Sequence, residues 1–177
     1  TFAAGMASEG KKPVVYTIIP FLVMRAFEQI RVDIGINSQN VILVGVGGGL
    51  AYDKLGATHH ACEDIALMRL IANMNVFVPF DPKDVENCLK QSYKLSCKGL
   101  PSYLRLSKGG EPILDRISTV GENISYIKNG ARNNIYIISH GSIASKIQEY
   151  VNTNELHQIN IICLLYTSRA HETSIDL

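Results

Sequence analysis

This chain of 177 residues has few of the sequence features that indicate a particular function. It has no tryptophan, and its 17 Lys and Arg nearly balance its 16 Asp and Glu. No apolar run approaches the roughly 20 residues that a membrane helix needs, and "TFAAGMASEG" lacks the charged start of a signal peptide. Without a basic cluster there is no electrostatic surface for nucleic acid. We therefore predict no nucleic-acid partner and no membrane partner.

Cysteines are also few, and their spacing excludes a metal or disulfide framework. No two of the cysteines form a C-x-x-C pair or have the spacing of zinc ligands; they are Cys62, Cys88, Cys97 and Cys163. Reduced thiols are the default for such a pattern. We predict a cytoplasmic location and no metal site within this chain.

Residues 1–112 alternate between β-branched runs and segments of helical periodicity. The predicted strands are 12–19, 40–46, 75–80 and 101–106. The third strand is followed by a helix with Asp81 as N-cap and Pro82 in its first turn. Strands that alternate with helices form βαβ units. The predicted fold class is therefore α/β, an open parallel sheet with helices on both faces.

Three further segments follow. Residues 113–130 are weakly periodic and predict an interdomain linker with a short hairpin. Residues 131–162 predict the first βαβ unit of a second α/β domain, since one such unit cannot bury both faces of a sheet. Residues 163–177, "CLLYTSRAHETSIDL", resemble the translation of a sequencing adapter, so we exclude His171 and Glu172 from any site. We expect a fragment that is cut at both ends.

The segment "GATHHACEDIALMR" (56–69) holds two adjacent histidines, a cysteine and two acids. A zinc site is weakly supported, because adjacent histidines point to different sides of a regular backbone and no second ligand pair is visible. A structural alternative makes Thr58 a helix N-cap, with Glu63 and Asp64 near the positive end of the helix dipole. That alternative explains the acids but leaves the histidines unexplained.

Two glycine-containing motifs fail the spacing of known sites. In "GVGGGL" (45–50), Leu50 stands where a dinucleotide fingerprint needs a third glycine. In "SHGSIA" (139–144), Ser142 follows glycine directly, so the spacing of a nucleophile elbow is not met. We predict a helix start there whose amide groups could hold an anion.

Ligands of open parallel sheets lie outside the carboxyl ends of the strands. Phe21 and Arg25 follow the first predicted strand, the 47–60 loop follows the second, and Arg105 lies near the end of the fourth. An aromatic ring, an imidazole and two arginines at one rim favour a planar ring and a phosphorylated substrate. The alternative places Phe21 in the core and both arginines on a solvated surface.

Four segments in order resemble the pyrimidine-binding domain of thiamine-diphosphate enzymes of the transketolase type. They are "TFAAGMASEGKKPVVYTIIPFLVMRAFEQIR", "GVGGGLAYDKLGATHHACEDIALMR", "NMNVFVPFDPKD" and "PSYLRLSKGGEP". This resemblance covers roughly residues 1–112, and residues 131–162 resemble the start of the transketolase C-terminal domain. The nearest likeness is the C-terminal subunit of split transketolases.

The resemblance implies a role for five residues. Phe21 would stack on the aminopyrimidine ring of the cofactor, with Leu22 as the competing position. His59 would reach the reacting carbon and hydrogen-bond a substrate oxygen, with His60 secondary. Arg105 would grip the sugar phosphate, and Arg25 is a further candidate at the same rim.

The sequence departs from the family pattern at two positions. Leu55 stands where many transketolases carry an acidic residue, and Gly47 stands where classical members often have a histidine. Both departures put the standard ketose-phosphate specificity in question. A glutamate that protonates the cofactor in this family would precede Thr1, and neither Glu9 nor Glu28 has the right context for that role.

The implied activity is transfer of a two-carbon ketol unit between sugar phosphates. Thiamine diphosphate would be the cofactor, with its diphosphate and Mg²⁺ held by a partner pyrophosphate-binding domain or subunit in a homodimer or heterotetramer. This chain alone is expected to be inactive. The alternatives are a deoxyxylulose-phosphate synthase, the β half of a 2-oxoacid dehydrogenase, and a non-catalytic pyrimidine-domain partner.

Overall fold

The structure is a computed structural model that describes residues 1–120, 124–128 and 135–167. The predicted second-domain segment is therefore described from residue 135 onward, and the tail as far as residue 167. His171 and Glu172 lie outside the described residues.

Helices and strands alternate through residues 1–106, and several strands then follow one another without a helix between them. In chain order the strands are β1 (Val14–Ile18), β2 (Ile42–Val46), β3 (Asn75–Phe77), β4 (Ser102–Leu106), β5 (Ser118–Val120), β6 (Ile124–Lys128), β7 (Ile135–Ser139), β8 (Ile159–Leu164) and β9 (Tyr166–Thr167). The α-helices are α1 (Phe2–Ser8), α2 (Phe27–Gln29), α3 (Asp64–Arg69), α4 (Pro82–Ser96) and α5 (Ile143–Thr153). π-Helical turns lie at Pro20–Met24 and Ile30–Ile36, and 3₁₀ turns lie at Asp53–Leu55 and Ala57–His59. No helix of this part is both long enough and apolar enough to span a bilayer.

The first sheet contains four parallel strands in the order β1, β2, β4, β3. Successive side chains of the central strands point to opposite faces. Leu43 and Tyr103 pack in the apolar layer that contains α1, whereas Ile42 and Leu104 pack in the layer that contains Cys88 of α4. Helices thus cover both faces, and the predicted α/β fold with an open parallel sheet is confirmed.

The connection after β1 has apolar residues at a four-residue spacing that predicts a single helix, namely Leu22, Ala26, Ile30 and Ile34, but the structure differs. Two π-helical turns flank the short helix α2. In the first of them the backbone N–H of Arg25 donates to the carbonyl of Pro20, five residues earlier, at 3.3 Å. Such a wide turn contains one more residue than an α-helical turn, and π-helical turns are frequent at functional sites.

The second sheet has the order β5, β6, β8, β7. β7, α5 and β8 form a βαβ unit with parallel strands, as predicted. The predicted hairpin is present as the antiparallel pair β5–β6, and β6 pairs with β8, so the hairpin belongs to this sheet. β9 then crosses to the first sheet and pairs antiparallel with β3. The division at residues 112, 130 and 162 remains a prediction, and β8 itself runs across residue 162.

One buried cluster of charges joins the start of α4 to the segment before β5. Asp81 caps α4 by accepting from the backbone N–H of Asp84 at 2.9 Å, as predicted. The same carboxylate accepts from the backbone N–H of Leu114 at 3.0 Å and from Arg116 at 2.6 Å. Arg116 also pairs with Asp84 at 2.8 Å. Burial raises the pKa of Asp84 to about 6, although the Arg116 charge opposes that rise.

Candidate functional site

Phe21 and Leu22 are neighbours with different surroundings. Leu22 is only 6 % exposed and belongs to the apolar layer beside α1. Phe21 is partly exposed at the carboxyl end of β1, in the first π-helical turn. Of the two positions, only Phe21 therefore presents its side chain to a ligand at this rim.

His59 lies beside Phe21. The two ring centroids are 5.1 Å apart, and the ring planes are inclined by 71°. On its other side His59 meets Tyr52 at 6.3 Å between centroids and 72°. We call Phe21, His59 and Tyr52 the aromatic row. Such edge-to-face packing is a favoured geometry of aromatic pairs.

A cation stands at each end of the aromatic row. The guanidinium carbon of Arg25 lies 4.3 Å from the centroid of the Phe21 ring. The ammonium nitrogen of Lys108 lies 5.4 Å from the centroid of the Tyr52 ring. Both side chains are exposed, so each can meet an anion that approaches the row from solvent.

The loop that carries the histidines is held by short-range bonds. Nδ1 of His59 is 3.0 Å from Oγ1 of Thr58, and Nε2 of His60 is 3.3 Å from the carbonyl oxygen of Asp53. Gly49 and Ala61 close the loop through two backbone hydrogen bonds. His60 thus braces the loop, whereas Nε2 of His59 has no hydrogen-bond partner within the described ranges.

The structural alternative for Thr58 is wrong. Helix α3 begins at Asp64, and its N-cap residue is Glu63. Thr58 lies in the preceding 3₁₀ turn and contacts His59. The two acids do begin the helix, as that alternative predicts, since Glu63 is its N-cap and Asp64 lies in its first turn, where it is fully buried.

Asp64 joins helix α3 to strand β4. Its Oδ2 accepts from the hydroxyl of Tyr103 at 2.7 Å and from Nε of Arg105 at 2.8 Å. Nη2 of Arg105 donates to the carbonyl of Ala61 at 3.1 Å, and the guanidinium lies against Gly48. Within the described residues no ring contact or hydrogen bond links Arg105 to the aromatic row. Arg105 therefore contacts the histidine loop at Ala61, whereas Arg25 contacts the aromatic row itself.

A cleft of about 670 Å³ opens next to Arg105, between the two sheets. Its basic side chains are Arg105, Lys108, His140 and Lys146. Ser142, at the start of α5, also lines it. Partial burial and the nearby Arg105 charge lower the pKa of His140. Arg105 thus faces a basic cleft, as the predicted role in phosphate binding requires, although that role remains a prediction.

Sequence reasoning missed four residues of this region. They are Tyr52, Asp64, Tyr103 and Lys108. Lys108 could have been found from the segment "LSKGG", because it lies two residues after the carboxyl end of β4, where ligands of parallel sheets bind. The other three depend on contacts that no local pattern shows. No group of three or more His, Cys, Asp or Glu that could hold a metal ion is found among the residues that the structure describes.

Comparison with known proteins gives a consistent result. Residues 1–111 match the family model "Transketolase, pyrimidine binding domain". One subunit of the apulose-4-phosphate transketolase of Actinobacillus succinogenes is 34 % identical over 147 residues, which is 82 % of this chain and 46 % of that protein. A 1-deoxy-D-xylulose-5-phosphate synthase of Azoarcus sp. is 37 % identical over 110 residues, 62 % of this chain and 17 % of that protein. The chain spans less than half the length of both relatives.

A solved structure is also similar. It is described as "Split gene transketolase, inactive beta4 tetramer" and superposes with a TM-score of 0.76 at 29 % identity. The match covers 93 % of this chain and 53 % of that one.

Proposed function

The chain belongs to the family of transketolase pyrimidine-binding domains, and from this membership we propose that it is part of a thiamine-diphosphate-dependent enzyme transferring a two-carbon ketol unit between sugar phosphates. The observation that carries the proposal is the contact between Phe21 and His59 at the carboxyl ends of the parallel strands. A stacking surface and an imidazole meet there at 5.1 Å.

The residues at this rim fit the cofactor's pyrimidine. The ring of Phe21 is partly exposed, while Leu22 is fixed in the core. A flat heteroaromatic ring can stack on such a surface. When bound, thiamine diphosphate supplies the nucleophilic carbon that attacks the ketose carbonyl.

His59 is the catalytic residue in this proposal. Its Nδ1 is oriented by Thr58, which leaves Nε2 to hydrogen-bond a hydroxyl or carbonyl oxygen of the substrate. At this position the imidazole can move a proton to or from that oxygen. His60 has the secondary role of holding the loop, through its contact with the Asp53 carbonyl.

Arg25 and Arg105 are proposed to bind the substrate phosphate. Arg105 is held by Asp64, so its guanidinium is fixed before the substrate arrives. Arg25 is exposed and adjustable. Lys108 adds a third cation at the Tyr52 end of the row. Arginine and lysine side chains are the usual partners of phosphate oxygens.

We propose that the diphosphate and its Mg²⁺ are bound by a partner domain or a partner chain, in a homodimer or heterotetramer. The related split-gene transketolase is described as inactive when it forms a tetramer of β chains alone, which supports this division of labour. The chain by itself is then inactive.

Its four free cysteines favour a reducing cytoplasm. Residues 1–112 would form the pyrimidine domain and residues 131–162 the start of the next one.

The test is to assemble the full-length protein, including the glutamate that the family resemblance places before Thr1, with the pyrophosphate-binding subunit of a split transketolase and to measure ketol transfer from a ketose phosphate. His59→Ala should lower kcat by about 10²- to 10⁴-fold, the usual contribution of a general acid–base residue. His157→Ala is the matched control, because His157 is exposed and far along the chain. Equal loss in both variants, or turnover by this chain alone with cofactor and Mg²⁺, would contradict the proposal.

A 1-deoxy-D-xylulose-5-phosphate synthase is the second candidate. It is favoured by the relative that is 37 % identical over 110 residues. Analysis of the products separates the two candidates, because such a synthase releases carbon dioxide from pyruvate, whereas a transketolase releases a shortened aldose phosphate. Only the product pattern of the assembled enzyme decides between them.

A further inference from the structure

Arg25 covers one face of the Phe21 ring. Its guanidinium carbon is 4.3 Å from the ring centroid, which is stacking distance. Arg25 is exposed and Phe21 is partly exposed, so their contact lies at the protein surface. A ligand that stacks on Phe21 from this surface has to compete with the contact.

The contact is favoured by the local backbone. Phe21 and Arg25 are four residues apart across the first π-helical turn, which the bond from the N–H of Arg25 to Pro20 closes. Residues at this spacing lie on the same side of a helical turn. The backbone therefore keeps the guanidinium near the ring, while the long side chain stays adjustable.

Only the Phe21 ring holds the Arg25 side chain in place within the described part of the chain. No carboxylate pairs with it there, in contrast to Arg105, which Asp64 fixes. Arg25 can therefore leave the ring without breaking an ion pair.

We propose that Arg25 and the cofactor's pyrimidine compete for the same face of Phe21, so that pyrimidine binding displaces the guanidinium and makes it available to the substrate phosphate. This inference rests on the proposed function, because it takes Phe21 as the stacking residue. Arg25 then couples the two ligands. It weakens pyrimidine binding while it lies on Phe21, and it strengthens phosphate binding once it has left.

The size of the effect follows from the strength of an exposed cation–π contact. Loss of that contact should change pyrimidine affinity by about two- to fivefold. Coupling between two ligands is reciprocal. A sugar phosphate should therefore tighten pyrimidine binding by the same factor by which the pyrimidine tightens sugar-phosphate binding.

The experiment uses the 177-residue chain, isotope-labelled for NMR, with 4-amino-5-hydroxymethyl-2-methylpyrimidine as the probe. In the wild type, the δ-methylene protons of Arg25 should be shifted upfield by the Phe21 ring, and the shift should disappear as the probe saturates. Arg25→Gln should bind the probe about two- to fivefold more tightly than the wild type. Arg31→Gln is the matched control, an exposed arginine of the same connection, and should bind as the wild type does.

A second arm measures ribose 5-phosphate binding with and without the probe. The probe should tighten it about two- to fivefold in the wild type and leave it unchanged in Arg25→Gln. Phe21→Leu distinguishes a failure of the stacking role of Phe21 from a failure of the competition between Arg25 and the pyrimidine. If Phe21→Leu binds the probe as well as the wild type, or if the probe shifts no signal of Phe21 or His59, the stacking role itself is overturned. If Phe21→Leu weakens binding but Arg25→Gln matches the wild type, or if the Arg25 protons show no upfield shift, only the competition is overturned.

Discussion

The ring of Tyr52 occupies the space that a side chain at Gly47 would need. A Cβ built on Gly47 would lie 2.1 Å from the Tyr52 ring, and Gly47 has a φ of +86°. Gly47 is the position at which the family resemblance leads us to expect a histidine in classical transketolases, and here Tyr52 leaves no room for a side chain at it. Tyr52 also meets His59, so its ring forms part of the surroundings of the proposed catalytic residue.

Gly47→Ala should destabilise the chain more than Gly99→Ala. Both glycines have φ near +80°, so both substitutions carry about 1–2 kcal/mol of backbone strain. At position 47 the added Cβ would also clash with the Tyr52 ring, and overpacking of this kind lowers stability by about 1–3 kcal/mol. Urea unfolding at one pH measures the difference. Gly99 has open space around it, so equal losses would show that Tyr52 moves without resistance.

Asp64→Asn should be among the most destabilising single changes in residues 1–112. It removes the charge that faces the largely buried Arg105, and breaking a buried pair costs about 3–5 kcal/mol. The unfolding midpoint in urea measures the loss. Glu86→Gln serves as control, since Glu86 pairs with Lys90 on the surface and its loss should leave the midpoint unchanged. A similar midpoint for both variants would contradict the assigned role of Asp64.

The pH dependence of stability should contain a contribution from Asp84. Burial raises its pKa in the folded state to about 6, whereas the ordinary value is 3.8. Between these values the folded state binds the proton more tightly, so this group favours folding at low pH and disfavours it as the pH rises through 6. Asp84→Asn removes the effect. Unfolding free energies from pH 4 to 7 should therefore shift in favour of the variant as the pH rises, and parallel curves for the two proteins would refute the assignment.

Thiol reactivity should divide the cysteines into two pairs. Cys62 and Cys97 are exposed, whereas burial raises the pKa of Cys88 to about 12 and that of Cys163 to about 11. Only thiolates react with aromatic disulfides. At pH 8 two thiols should react quickly in the native chain and all four in denaturant. A third fast thiol in the native chain would show that one of the buried sites opens.

Local sequence patterns were sufficient for the four parallel strands of the first sheet and for the start of α4. The β-branched runs became parallel strands, and Asp81 caps the helix that it was predicted to cap. These features depend on neighbouring residues alone. The resemblance to transketolases is confirmed by the match over residues 1–111.

Contacts between distant residues could not be predicted in the same way. Arg105 and Asp64 are 41 positions apart, and nothing local shows that the acid at the start of α3 is buried and paired. The difference in exposure between Phe21 and Leu22 also required the structure. A four-residue spacing of apolar side chains does not distinguish an α-helical turn from a π-helical one over so short a segment.

The direction in which the Phe21 side chain points depends on the number of residues in the π-helical turn at Pro20–Met24. Removing one residue from this turn would rewind it to the tighter α-helical form and rotate everything before it relative to everything after it. The Phe21 side chain would then turn toward the interior, and the Leu22 side chain would turn toward solvent. Shortening this segment by a single codon should therefore abolish ring stacking even if every side chain of the site were kept.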